Sequence, residues 1–232
     1  MHKYKKYVLF LFIFINLNNL VVFSQTKPLY GKVIVIDPGH GGKDKGAYYN
    51  NTYESDLNLL ISLNLKKQIE KRGALVYMTR YDDYDLSNPK SFRRKKSDFD
   101  NRIKIINYIK PDCVISIHMN ASSNKNYSGF QIFYSKDDKL ALSINKFVNP
   151  RRKVKKINNI YFMDNINYPI ALIEYGFISN INDLEKINSY KYQFDINNKI
   201  INGITKYLKN SSNWFFLNRF NVNNFWKCLK KV

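Results

Sequence analysis

Histidine is scarce in this 232-residue chain, which holds only His2, His40 and His118. The last two are the residues best suited to chemistry. His40 follows the β-branched run 32–36 across the turn-forming Asp37-Pro38-Gly39, and His118 closes the apolar run 113–118. Two imidazoles with one carboxylate and an open fourth position make a hydrolytic zinc site, in which the metal lowers the pKa of bound water to about 7. Glu54, at the start of a helical pattern, can supply that carboxylate. Taken singly, a histidine at a strand end or a glutamate in the first helical turn also has a structural reading, the latter through the helix dipole. Glu174 closes a further apolar run, 169–174, where the bland reading is a buried acid paired with one of the many basic side chains.

Competing chemistries fit these residues less well. The glycines of Gly39-His40-Gly41-Gly42 and Gly46 meet neither the GxxxxGK[ST] nor the GxGxxG spacing of a phosphate loop. A serine or cysteine nucleophile would need a histidine base, and both histidines have a better joint explanation as ligands. Cys113 and Cys228 are too few for a disulfide framework, and Cys113 lies in an apolar run expected to be buried.

The elements that must position these residues follow from periodicity. Runs 32–36, 75–79, 113–118, 129–134 and 169–174 read as strands, and 159–163 as an edge strand. Over 54–71, Leu57, Leu60, Ile61, Leu65 and Ile69 recur at helical spacing, with Gly73 as a stop. Phe99, Ile103, Ile106 and Ile109 mark a second helix ended by Pro111. A short helix plus a basic connection is expected over 136–159, and Ile196, Ile200, Ile204 and Leu208 place a last helix over 192–208. The polar stretch 81–97, with Pro89, reads as a long loop. Strands alternating with helical crossovers imply a single α/β domain, a mainly parallel twisted sheet with helices on both faces. In such a sheet the C-terminal strand ends share one rim, where ligands bind. His40, His118 and Glu174 would meet there.

Both ends of the chain differ in character from this domain. Residues 1–24 combine Lys3, Lys5 and Lys6 with the apolar run 8–15 and the break at Asn16, Asn18 and Asn19, the shape of a secretory signal peptide. Export to the periplasm or cell envelope, or secretion, is therefore expected. The catalytic domain would span 25–209, leaving 210–232 as a basic aromatic tail with Trp214, Phe215, Phe216, Arg219 and Trp226. The formal charge of +20 would fall to +17 with loss of the three signal lysines. Such a surface attracts anionic polymers, and export points to wall or membrane, with no nucleic acid expected as a partner.

Four ordered segments resemble one family. Val35-Ile36-Asp37-Pro38-Gly39-His40-Gly41-Gly42-Lys43-Asp44 with Gly46-Ala47, then Glu54, then Ser116-Ile117-His118-Met119-Asn120-Ala121, then Leu172-Ile173-Glu174-Tyr175-Gly176-Phe177-Ile178-Ser179-Asn180, are similar to the motifs of the zinc-dependent N-acetylmuramoyl-L-alanine amidases of the amidase-3 type. The similarity covers roughly 32–208, and Arg80 and Arg102 fall where that family tends to carry arginines. The resemblance implies cleavage of peptidoglycan between N-acetylmuramic acid and the L-alanine of the peptide stem. It also implies His40, Glu54 and His118 as ligands of Zn2+ and Glu174 as the second carboxylate at the reaction centre. The long basic loop 81–97, the short connection from Tyr134 to Glu174 and the aromatic tail depart from the family, and the short connection implies an uncovered site. A silent wall-binding module and a zinc peptidase cutting elsewhere in the stem are the rival readings.

Overall fold

The computed structural model describes residues 27–211. The signal segment expected over 1–24 lies outside the described residues, as does the tail expected over 210–232 except for Asn210 and Ser211, which continue the last helix. A six-stranded sheet runs in the order β4-β1-β5-β8-β6-β7. Its strands are β1 (Val33–Pro38), β4 (Leu75–Met78), β5 (Cys113–Asn120), β6 (Gln131–Tyr134), β7 (Lys155–Lys156) and β8 (Ile170–Phe177). All neighbours pair in parallel except β6 with β8. A separate antiparallel pair, β2 (Tyr48–Tyr49) and β3 (Thr52–Tyr53), stands between β1 and the first helix.

Alternation along the strands divides the core into two layers, as successive side chains must point to opposite faces. On one face Ile34, Ile36, Ile115, Ile117 and Ile173 pack against α1 (Glu54–Lys71), α3 (Lys139–Val148), α5 (Ile181–Asn188) and α6 (Tyr190–Ser211). On the other face Val35, Val114 and Ile170 meet Ile103 and Ile106 of α2 (Arg94–Ile109) and Phe162 and Met163 of α4 (Tyr161–Asp164). Helices thus cover both faces of a mostly parallel sheet. Cys113 is a buried free thiol, and burial pushes its pKa up.

Three local expectations are corrected. Leu60 is not on the core stripe of α1 but 48% exposed, because Leu57, Ile61 and Leu65 already define the buried strip and Leu60 lies about 100° round the helix from Ile61. The long loop ends earlier than expected, at the start of α2 at Arg94. Residues 159–163 form no edge strand: Asn159 takes a left-handed φ of 60°, and the chain turns into α4 to bury Phe162 and Met163. The edge position is filled instead by β7, whose Lys155 and Lys156 are exposed, which suits an open sheet edge. Helix α5 and the β2–β3 hairpin went without a signal in the periodicity.

Candidate metal centre

The parallel register brings the chemistry to one rim. Ile36 pairs with Ile115 and Pro38 with Ile117, so the end of β1 lies beside the end of β5. On the other side of β5, His118 pairs with Glu174. Directly beyond this pair the register shifts at a bulge, and Asn120 then pairs with Phe177. Bulges of this kind re-aim side chains beside functional sites.

His40 sits in the turn after β1 with φ at +61°, a left-handed conformation that costs a non-glycine residue free energy unless its surroundings impose it. Two buried arginines do so. Arg102 Nη2 donates to the His40 carbonyl at 2.6 Å, and its Nη1 donates to the Pro38 carbonyl at 2.8 Å. Arg80 Nη2 donates to the Gly39 carbonyl at 2.9 Å and to the Ser55 carbonyl at 2.8 Å, which ties the turn to the first turn of α1. Arg102 is balanced by Asp98 (2.7 Å) and Asp37 (2.8 Å). Asp37 also accepts from Thr79 at 2.6 Å and Ser116 at 2.9 Å. Burial alone would raise the Asp37 pKa, but Arg102 and the Thr79 hydroxyl overcome it and hold the carboxyl below its ordinary value.

Glu54 opens α1 and turns its carboxylate into the space between the histidines. Its Oε1 is 3.2 Å from His40 Nε2 and 3.0 Å from His118 Nδ1, and the two rings meet edge to face with centroids 5.1 Å apart. The Met119 amide donates to Oε1 at 3.2 Å and the Ala47 amide to Oε2 at 3.0 Å. Asn58, four residues on along the same helix face, donates to the Gly39 carbonyl at 3.1 Å and lies 3.4 Å from Oε1. Asp44 Oδ1 stands 3.0 Å from His40 Nδ1 without the alignment of a hydrogen bond, and its charge favours the ring proton on that side.

The donor set fits a small divalent cation. His40, Glu54 and His118 each offer one ligand atom, and all three atoms lie within 4.8 Å of one another. Tetrahedral zinc with bonds of about 2.0–2.1 Å separates its donors by about 3.3 Å, close to the two nitrogen–oxygen distances here. The electrostatics agree. Burial disfavours charge on His40, yet the carboxylates of Asp44 and Glu54 raise its pKa to about 9. Burial likewise opposes charge on Glu54, and the two imidazoles reverse this and lower its pKa. Positive charge is thus favoured between these side chains, where a cation could stand. His40 and His118 keep 18% and 20% side-chain exposure, so the centre is open to solvent on one side.

Glu174 is brought to the same rim, in register with His118, but it is not bonded to the other three. Among the described residues its buried Oε2 has no hydrogen-bond partner, and no basic side chain there pairs with it. Burial first, and then repulsion from Glu54, raise its pKa to about 7 despite the nearby histidines. An unpaired carboxylate held near neutrality beside a cation site has the properties of a proton shuttle.

Sequence reasoning missed Asn58 and gave no role to Asp44, which it held only as a motif residue. Asn58 had a signal: an amide one turn beyond Glu54, inside the apolar stripe of α1, needs a buried partner. Asp44 had only its i,i+4 spacing from His40.

Residues 34–206 match the family described as N-acetylmuramoyl-L-alanine amidase. The germination-specific N-acetylmuramoyl-L-alanine amidase of Bacillus subtilis is 38% identical over 212 residues, which are 86% of this chain and 90% of that protein. A probable cell wall amidase of Staphylococcus aureus, LytH, is 32% identical over 81% of this chain and 63% of its own length. Among solved structures, the CwlD amidase of Clostridioides difficile, in complex with the GerS lipoprotein, has a TM-score of 0.72 at 36% identity over 77% of this chain and 99% of that one. The catalytic domain of CwlV, from Bacillus (Paenibacillus) polymyxa, has a TM-score of 0.66 at 27% identity over 77% of this chain and 98% of that one.

Proposed function

Since this chain belongs to the N-acetylmuramoyl-L-alanine amidase family of peptidoglycan hydrolases, we propose that it cleaves the amide between N-acetylmuramic acid and L-alanine at a zinc centre held by His40, Glu54 and His118. The observation that carries this reading is the convergence of three donors, with Glu174 on the same rim and unpaired among the described residues. When bound, zinc polarises a carbonyl and acidifies water. The remaining work falls to the protein. The Asp44 charge favours the ring proton on the His40 Nδ1 side, while Asn58 and the Met119 and Ala47 amides hold the Glu54 carboxylate in place. Glu174 accepts the proton of the attacking water and returns it to the departing amine, so that one water is added across one amide bond.

The remaining assignments are of place and attachment. Residues 1–24 act as a signal for export, so the enzyme works in the periplasm or cell envelope or is secreted. The basic aromatic tail attaches it to anionic wall or membrane. The test is digestion of purified wall by the mature protein, with metal content measured on the same sample. Free N-terminal L-alanine, lost on chelation and restored by zinc, is the expected result. A different newly freed amine would make the chain a stem peptidase, and intact wall would make it a binding module.

A further inference from the structure

Between β1 and Glu54 the chain forms a hairpin with an unusual composition. Residues 47–53 read Ala-Tyr-Tyr-Asn-Asn-Thr-Tyr, with no charged side chain, in a protein whose formal charge is +20. Asn50 and Asn51 both take positive φ, 46° and 57°, the requirement of a two-residue type I′ turn, so the strands are held in a fixed register. Tyr48 pairs with Tyr53 and Tyr49 with Thr52. The two pairs must therefore present opposite faces.

One face is accounted for. Tyr49 packs against the core, and Lys125 Nζ lies 4.7 Å above its ring. The other face is not. Tyr48 and Tyr53 meet with ring centroids 4.7 Å apart and planes tilted by 40°, and remain 56% and 40% exposed; the Tyr48 hydroxyl donates to Asn51 Oδ1 at 2.9 Å. The hairpin is locked to the metal centre at its base. The Glu54 amide donates to the Ala47 carbonyl at 2.8 Å, and the Ala47 amide donates back to Glu54 Oε2 at 3.0 Å. A Cβ on Gly46 would come within 2.6 Å of that oxygen. Tyr53 precedes Glu54 directly, so an aromatic surface stands one residue from a metal donor.

We propose that Tyr48 and Tyr53 form a glycan subsite, a pre-ordered platform on which a neutral N-acetylated pyranose of the polysaccharide strand stacks while the stem peptide is cut. This rests on the amidase reading for the substrate and adds where its sugar lies. The apolar face of a pyranose matches an exposed aromatic ring, and the Asn50 and Asn51 side chains beside it offer donors and acceptors to hydroxyl and acetamido groups. A hairpin without charged side chains of its own suits this uncharged ligand better than it suits the carboxylates of the stem, for which basic side chains are plentiful elsewhere. Rings fixed by a tight turn also lose little freedom on binding.

The test uses tetra-N-acetylchitotetraose, a peptide-free glycan, titrated calorimetrically into zinc-loaded full-length mature protein. The variant is Tyr48→Thr/Tyr53→Thr, which retains a cross-strand pair favourable to the hairpin. Tyr53→Phe retains the ring. Affinity should fall by about tenfold or more in the double variant, the scale of one or two aromatic contacts, and hold in Tyr53→Phe. Zinc content and Tm should be unchanged in both. With glycan-linked muropeptides KM should rise in the double variant, while hydrolysis of a muramoyl peptide carrying a single sugar should change much less. Equal glycan affinity in wild type and double variant, or no glycan binding by wild type, would overturn the proposal and leave the rings to a protein partner. Failure of the amidase reading is separate: wild type would then free no L-alanine from wall, whatever the glycan titration showed.

Discussion

Gly39 has no room for a methyl group. A Cβ there would stand 2.2 Å from His118 Cε1 and 2.4 Å from its Nε2, so the turn after β1 approaches the ring as closely as a backbone can. Gly39→Ala should displace the imidazole and leave the hydrophobic core alone. Zinc affinity should fall by about 10–100-fold, the usual effect of disturbing the groups that orient ligands. Competition with a chelator of known affinity would measure it, and wild-type affinity would show that His118 is not a ligand. Glu174 calls for the opposite pattern. Glu174→Gln keeps size and hydrogen-bonding shape but removes the base, so turnover should drop by ~10²-fold or more. Zinc content and Tm should stay near wild type. Retention of more than about a tenth of the activity would refute the shuttle, while loss of zinc would move Glu174 into the ligand set.

At the scale of elements, the packing of α3 on α6 turns on one residue. A Cβ on Gly203 would lie 2.4 Å from Ile144 Cα and 2.9 Å from the Ser143 carbonyl oxygen, both backbone atoms. Helix propensity alone predicts that Gly203→Ala stabilises by about 1 kcal/mol. Packing predicts the reverse, since two helix backbones cannot separate without opening the layer formed by Ile144, Ile200 and Ile204, and overpacking costs about 1–3 kcal/mol. Denaturant unfolding should show a lower midpoint, and a raised one would mean that the helices part freely. This contact also marks the limit of what was legible in the sequence. Period-2 and period-3.6 apolar patterns carried β1, β4, β5, β8 and most of α1, α2 and α6, and the shared rim of a parallel sheet placed His40, His118 and Glu174 together. Interhelical spacing leaves no periodic trace, so nothing singled out Gly203. The β2–β3 hairpin is built from turn conformation and a tyrosine pair, and α4 is only four residues long. Periodicity finds neither. The network of Arg80, Arg102 and Asp37 was legible only as residue types. That it fixes the carbonyls of Pro38, Gly39 and His40 is a matter of tertiary geometry.

For the molecule as a whole, charge and attachment have to be separated. Loss of the three lysines of residues 1–24 would leave +17, and much of that belongs to the described domain, whose lysines are exposed along β7 and in the 90–96 segment. A domain so basic would be drawn to anionic wall by long-range attraction alone, and the Debye length of about 8 Å at physiological salt makes that attraction weaken as salt rises. Interleaved aromatics in the tail, such as Trp214, Phe215 and Trp226, would add a contact that salt does not screen. Truncation after Ser211 keeps α6 whole and removes these residues. Sedimentation with purified wall should then drop most at high salt, where only the apolar part of the attachment survives. At low salt the truncated protein should still bind, and its hydrolysis of small soluble muropeptides should match the full mature chain. Equal sedimentation of the two forms across the salt series would assign attachment to the domain's basic surface. Loss of the Tm along with binding would instead make the tail aromatics part of the folded core.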